Sequence, residues 1–150
     1  MEDQVASTTS LGVSRMRAIH TRRDPQPILH DPWGDRLVPV PLLMAMLNSA
    51  GAQSHSAIAG ADSDAALARI TDDILRASPA YTNVITRSRY TEDALSAAVA
   101  EGVRQYVLIG AGFDSYALRR PPQAADLQVF EIDHPATQAL KKLRIAECGI

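Results

Sequence analysis

"YVLIGAGFDSYALRR", residues Tyr106 to Arg120, passes from an apolar run into two glycines and then into polar, helix-compatible sequence. Tyr106 to Ile109 is short and continuously apolar, as expected for a parallel strand covered on both faces. Gly110 and Gly112 follow where that strand must end, Asp114 to Arg119 opens a helix, and Pro121-Pro122 stops it. A strand running into a glycine-rich turn at a helix N-terminus is the front of a dinucleotide-type α/β fold. Glycines let a ligand approach the backbone closely, and first-turn amides offer it unpaired donors. In Gly110-Ala111-Gly112-Phe113-Asp114-Ser115 the third glycine of G-x-G-x-x-G is replaced by Ser115, and Asp114 puts negative charge in the loop. Both departures disfavour a diphosphate. They suit a ligand with an amino group or a positive centre.

Downstream, Leu127 to Ile132 (LQVFEI) reads as a second strand and Ala136 to Glu147 as a helix. Asp133 closes that strand about 20 residues after the glycine loop, where such folds place a carboxylate for both ribose hydroxyls. Asp133 would serve equally as a cap for the helix begun at Pro135. Upstream, Thr91 to Glu101 predicts a helix capped by Thr91, with Glu92 and Asp93 in its first turn and Gly102 ending it. Ala65 to Arg76 aligns Leu67, Ile70, Ile74 and Leu75 on one helical face, and a further helix should run from Pro41 to Leu47. Leu11 to Arg23 has a mixed helical pattern, broken by Asp24-Pro25-Gln26-Pro27, and Asp31-Pro32 marks a turn or helix start. Gly51 to Ser63 reads as a loop and residues 1–10 as a disordered leader. A helical N-terminal cap over 11–101 would thus precede the start of an α/β domain over 102–150.

Composition narrows the classes. With 150 residues, 46% hydrophobic and 21% charged, the chain suits one globular domain. A net charge of −2 lacks the basic excess that a nucleic-acid partner favours. One cysteine, Cys148, cannot form an internal disulfide, and His20, His30, His55 and His134 fall at no metal-ligand spacing, so no metal is expected. No run approaches the roughly 18 apolar residues of a membrane span, and MEDQVASTTS has neither the basic start nor the apolar stretch of a signal peptide. The expectation is a cytoplasmic protein without a membrane partner.

"TRSRYTEDAL", "YVLIGAGFDSYALRR" and "VFEIDHPATQALKK", in this order and spacing, resemble S-adenosylmethionine-dependent methyltransferases of the leucine carboxyl methyltransferase family, in its bacterial branch. "ILHDPWGDRLV" resembles that branch's N-terminal helical cap, so the likeness covers about residues 15 to 147. The resemblance implies a Rossmann-like class I methyltransferase fold, of which only the first strands are present, behind a helical cap. It implies S-adenosyl-L-methionine as cofactor, with Gly110 and Gly112 forming the loop under its methionine part. By the same resemblance Asp133 holds the ribose, and Arg87 pairs with the cofactor carboxylate through a planar fork suited to two hydrogen bonds. Asp114 could accept from the cofactor ammonium, or cap the following helix. No catalytic residue is assigned.

Two buried-type parallel strands cannot cover their own apolar faces, and methyltransferases of this kind need about seven strands. The sequence therefore reads as the N-terminal half of an enzyme, truncated before its acceptor pocket. The expected reaction is methyl transfer to a carboxylate or hydroxyl of a small molecule or peptide. Two rivals stay open: an NAD(P)-dependent oxidoreductase, and a non-enzymatic remnant or binding module.

Overall fold

The structure, a computed structural model, describes residues 6–49 and 63–149. It is mixed α/β, mostly helical, with a small parallel sheet. Helices α1 (Thr8–Arg23), α2 (Trp33–Leu37), α3 (Val40–Ser49), α4 (Asp64–Ala77) and α5 (Ala80–Ala100) precede strand β1 (Gln105–Ile109). Then come α6 (Tyr116–Arg119), a 3-10 turn (Pro122–Ala124), β2 (Gln128–Ile132) and α7 (Pro135–Glu147).

Helix α6 starts two residues later than expected, at Tyr116, and the starts of α1 and α5 differ most from the sequence reading. Helix α1 begins at Thr8, inside the stretch expected to be disordered, because Ser7 caps it: its Oγ accepts from the Ser10 amide at 3.2 Å. Ala6 is buried and the Ser7 amide donates to Thr137 Oγ1 at 3.3 Å, which ties this end to α7. Residues 1–5 lie outside the described residues, as does the predicted loop apart from Ser63, whose hydroxyl caps α4. Helix α5 starts eleven residues before Thr91, which therefore lies inside the helix and caps nothing. Thr82, Val84, Ile85 and Thr86 are weak helix formers, but Tyr81, Val84 and Ile85 are buried against Met16, Ile19 and Leu29, and that packing overrides propensity. Thr86 and Ser88 return their hydroxyls to carbonyls one turn back.

Helix α1 has a mixed pattern because its buried face carries charge. Arg15 pairs with Asp72 of α4 at 2.9 Å, both nearly inaccessible, and Arg22 reaches the same carboxylate at 2.6 Å. Across from them α2 lies so close to α1 that a Cβ on Gly34 would meet the Ser14 carbonyl oxygen at 2.1 Å. Gly34→Ala must push the two helices apart, and a loss of about 1–3 kcal/mol is expected in chemical denaturation. An unchanged midpoint would contradict this seating.

Strands β1 and β2 pair in parallel, Gln105 opposite Gln128 and Ile109 opposite Ile132. Side chains alternate between the faces. Tyr106 and Val129 pack on Leu95, Tyr116, Ala124 and Leu127, with the Tyr106 and Tyr116 rings edge to face at 5.8 Å. The other face lacks the cover that strands of this apolar kind need, and that two such strands cannot supply for themselves. Val107, Ile109, Phe130 and Ile132 are between about half and 85% exposed. The buried cluster lies on the Tyr106 and Val129 face, and among the described residues no core cluster includes the second.

Candidate functional site

The register that aligns Ile109 with Ile132 brings the two strand ends together. The amides of Gly110 and Ala111 both donate to the Ile132 carbonyl, at 2.8 and 3.1 Å. Asp133 therefore emerges beside the glycine turn. Its Oδ2 accepts from the Gly112 amide at 2.6 Å and its Oδ1 from the His134 amide at 2.6 Å. A carboxylate has about four acceptor positions, so these two bonds orient it and leave capacity for further donors. It does not cap α7; the His134 ring does, accepting from the Ala136 amide.

The two glycines do different things. Both are left-handed, Gly110 at φ 70° and Gly112 at φ 52°, where a side chain is strained. A Cβ on Gly112 would meet the Cβ of Ser10 at 2.7 Å, so this glycine admits the first turn of α1. At Gly110 nothing lies within 4 Å of the same position, so its backbone faces open space. Next to them Phe113 is buried among Leu11, Leu37, Val38 and Leu43, which pins the turn to the helical region.

A cavity of about 350 Å³ opens over this turn, and Arg87, Gly110, Gly112, Asp114 and Asp133 all line it. Ser7, which caps α1, and Ser10, Val13 and Arg17 of α1 line it as well. An adjoining cavity of about 220 Å³ shares Val13, Arg17, Arg87, Gly110 and Asp114 and continues towards Glu92, Tyr106 and Tyr116. Arg87, in mid-helix, is exposed and makes no hydrogen bond or ion pair among the described residues. Arg89, by contrast, pairs with Asp93 one turn on. The Asp114 carboxylate accepts from the Tyr116 amide at 2.8 Å in a turn just ahead of α6, whose N-cap position is Ser115, and Asp114 lines both cavities. Burial, with the nearby carboxylates of Asp114 and Glu92, raises the Tyr106 phenol above its usual range, so it stays protonated near neutrality. A larger cavity, about 730 Å³, lies between α5 and the 3-10 turn, but neither glycine nor Asp133 reaches it.

Behind the glycine turn sits a charge cluster that the sequence did not announce. Asp31 is fully buried and accepts from Arg17 Nε at 2.8 Å and from the Ser115 hydroxyl at 2.6 Å. Arg119 lies 3.6 Å from it and also holds Glu92 of α5 through two bonds, at 3.0 and 2.5 Å. Burial alone would raise the Asp31 carboxyl; the guanidiniums of Arg17 and Arg119, with the bonds from Arg17 and Ser115, outweigh it and hold it below its usual range. Asp31-Pro32 was legible only as a turn or helix start, because the partners of Asp31 lie 14 to 88 positions away in the chain.

The residues around the cavity fit an adenosine-bearing amino-acid cofactor: an unpaired guanidinium, a pre-oriented carboxylate and an open glycine backbone. Among the described residues there is no group of three or more metal-ligating side chains and no helix long and apolar enough to cross a membrane. The family profile for leucine carboxyl methyltransferase matches residues 10–150. A Mycolicibacterium smegmatis protein is 33% identical over 142 residues, 95% of this chain and 43% of its own length. YktD of Bacillus subtilis is 42% identical over 66 residues, 44% of this chain and 22% of its own. SCO7813 of Streptomyces coelicolor is 35% identical over 134 residues, 89% of this chain and 40% of its own. All three relatives are provisionally named S-adenosyl-L-methionine-dependent methyltransferases, which gives the class. The chain belongs to the leucine carboxyl methyltransferase family. It spans less than half the length of these curated relatives.

Proposed function

We propose that these residues form the cofactor side of an S-adenosyl-L-methionine-dependent methyltransferase with a Rossmann-like class I fold. The methyl acceptor would be an oxygen, of a carboxylate or hydroxyl, on a small molecule or peptide. The observation that carries the reading is the convergence of Arg87, Gly110, Gly112, Asp114 and Asp133 on one cavity. The family's own description supports a carboxylate acceptor. When bound, the cofactor supplies a methyl group on a sulfonium, already a good leaving group, so the protein's task is positioning rather than acid–base chemistry. Asp133 would hold the ribose hydroxyls with the lone pairs left by the Gly112 and His134 amides. Arg87 would take the amino-acid carboxylate through its planar fork, and Asp114 the ammonium. Gly110 would keep the loop open, since any Cβ there projects into the space that the ligand needs.

Calorimetry of the full-length polypeptide with S-adenosylhomocysteine and, separately, with NAD tests the reading. Binding of the former alone is expected. Heat only with NAD would move the site to the oxidoreductases, and heat with neither would leave a binding module or remnant.

A further inference from the structure

We infer that Asp31 and Ser115 act together as positioning residues that aim the Asp114 carboxylate, and so set recognition of the ligand's amino group; this rests on the cofactor reading above. Asp114 is held from both sides by one buried group. On one side, Arg17 Nη2 donates to the carbonyl of Phe113 at 2.8 Å while its Nε donates to Asp31 at 2.8 Å. On the other, the Ser115 hydroxyl donates to the same Asp31 oxygen at 2.6 Å. Both neighbours of Asp114 are thereby fixed to a carboxylate with no solvent exposure, and Ser115 itself is fully buried. Arg119 Nε donates to Ser115 Oγ at 2.9 Å, so that hydroxyl is held both as a donor and as an acceptor.

The arrangement also accounts for the serine where a pyrophosphate-binding turn carries its third glycine. Its hydroxyl is needed below the loop, not above it. A glycine there would free the backbone between Asp114 and Tyr116, and the carboxylate would lose its fixed direction.

Ser115→Ala removes one of the two anchors and leaves the Asp31–Arg17 pair and the buried methyl in place. With the full-length polypeptide, calorimetry should compare S-adenosylhomocysteine with 5′-methylthioadenosine, which has the adenosine but no amino acid. Ser115→Ala is expected to weaken the first about tenfold and the second by less than twofold, and Ser115→Thr to restore most of the loss. Equal weakening of both ligands, or of neither, overturns the positioning role while leaving the cofactor site standing. Binding of neither ligand by the unaltered protein overturns the site reading, and this inference with it.

Discussion

Asp31→Ala is expected to destabilise the protein by about 3–5 kcal/mol, the range for breaking a buried ion pair by removing one partner. Arg17 is almost inaccessible and Arg119 nearly so, and both keep their charge when Asp31 goes. Arg17 then has only the Phe113 carbonyl to answer it, and Arg119 only Glu92 and the Ser115 hydroxyl. The Ser115 hydroxyl and the Trp33 amide lose an acceptor as well. Denaturant titration measures the loss. A change below about 1 kcal/mol, typical of exposed pairs, would contradict the burial of this cluster. The same carboxylate gives an acid signature. Its folded pKa lies below its unfolded one, so its contribution is complete above the unfolded value and disappears as pH falls through the folded one. Stability should therefore fall below about pH 4 in the natural protein. In Asp31→Asn the curve should start lower near neutrality and lose less on acidification.

Asp133→Ala is expected to weaken S-adenosylhomocysteine about a hundredfold. Two hydrogen bonds from ribose hydroxyls to one carboxylate, at roughly 1.5–3 kcal/mol for a bond to a charged group, account for that order when discounted for non-additivity. Because the Gly112 amide also loses its acceptor, a stability cost of about 1–3 kcal/mol should accompany it. Arg87→Ala separates binding from folding. Its guanidinium is exposed and holds nothing among the described residues, so affinity should fall at least tenfold while the denaturation midpoint stays put. Loss of stability in Arg87→Ala, or unchanged affinity in both variants, would contradict the assigned roles.

What could be read from the sequence was what local pattern encodes. The two strands, the glycine turn and the helix after Pro135 each carry their own signal, and β1, β2 and α7 form where those signals lie. The five residues named around the turn line one cavity because chain register alone places Asp133 beside Gly110, and α5 then carries Arg87 across. The first half of α5 was hidden by its β-branched residues, whose helix is made by contacts with α1 and Leu29 rather than by propensity. The contributions of Ser10 and Arg17 to the cavity wall, and the meeting of Arg17, Asp31, Ser115 and Arg119, depend on how α1 lies over the turn. No local spacing encodes that. An arginine on a helix reads as surface until a buried acid is found opposite it. The apolar strands read as needing cover on both faces, which two strands alone cannot provide; the packing partly buries Tyr106 and Val129 and leaves Ile109 and Phe130 exposed.

A crystal structure of the full-length polypeptide grown with S-adenosylhomocysteine tests the central claim most directly. The ribose hydroxyls should lie within hydrogen-bonding distance of the Asp133 carboxylate, with the thioether chain passing over Gly110 to a carboxylate on Arg87. A ligand bound anywhere else, or an Asp133 carboxylate turned from the ribose, would contradict it.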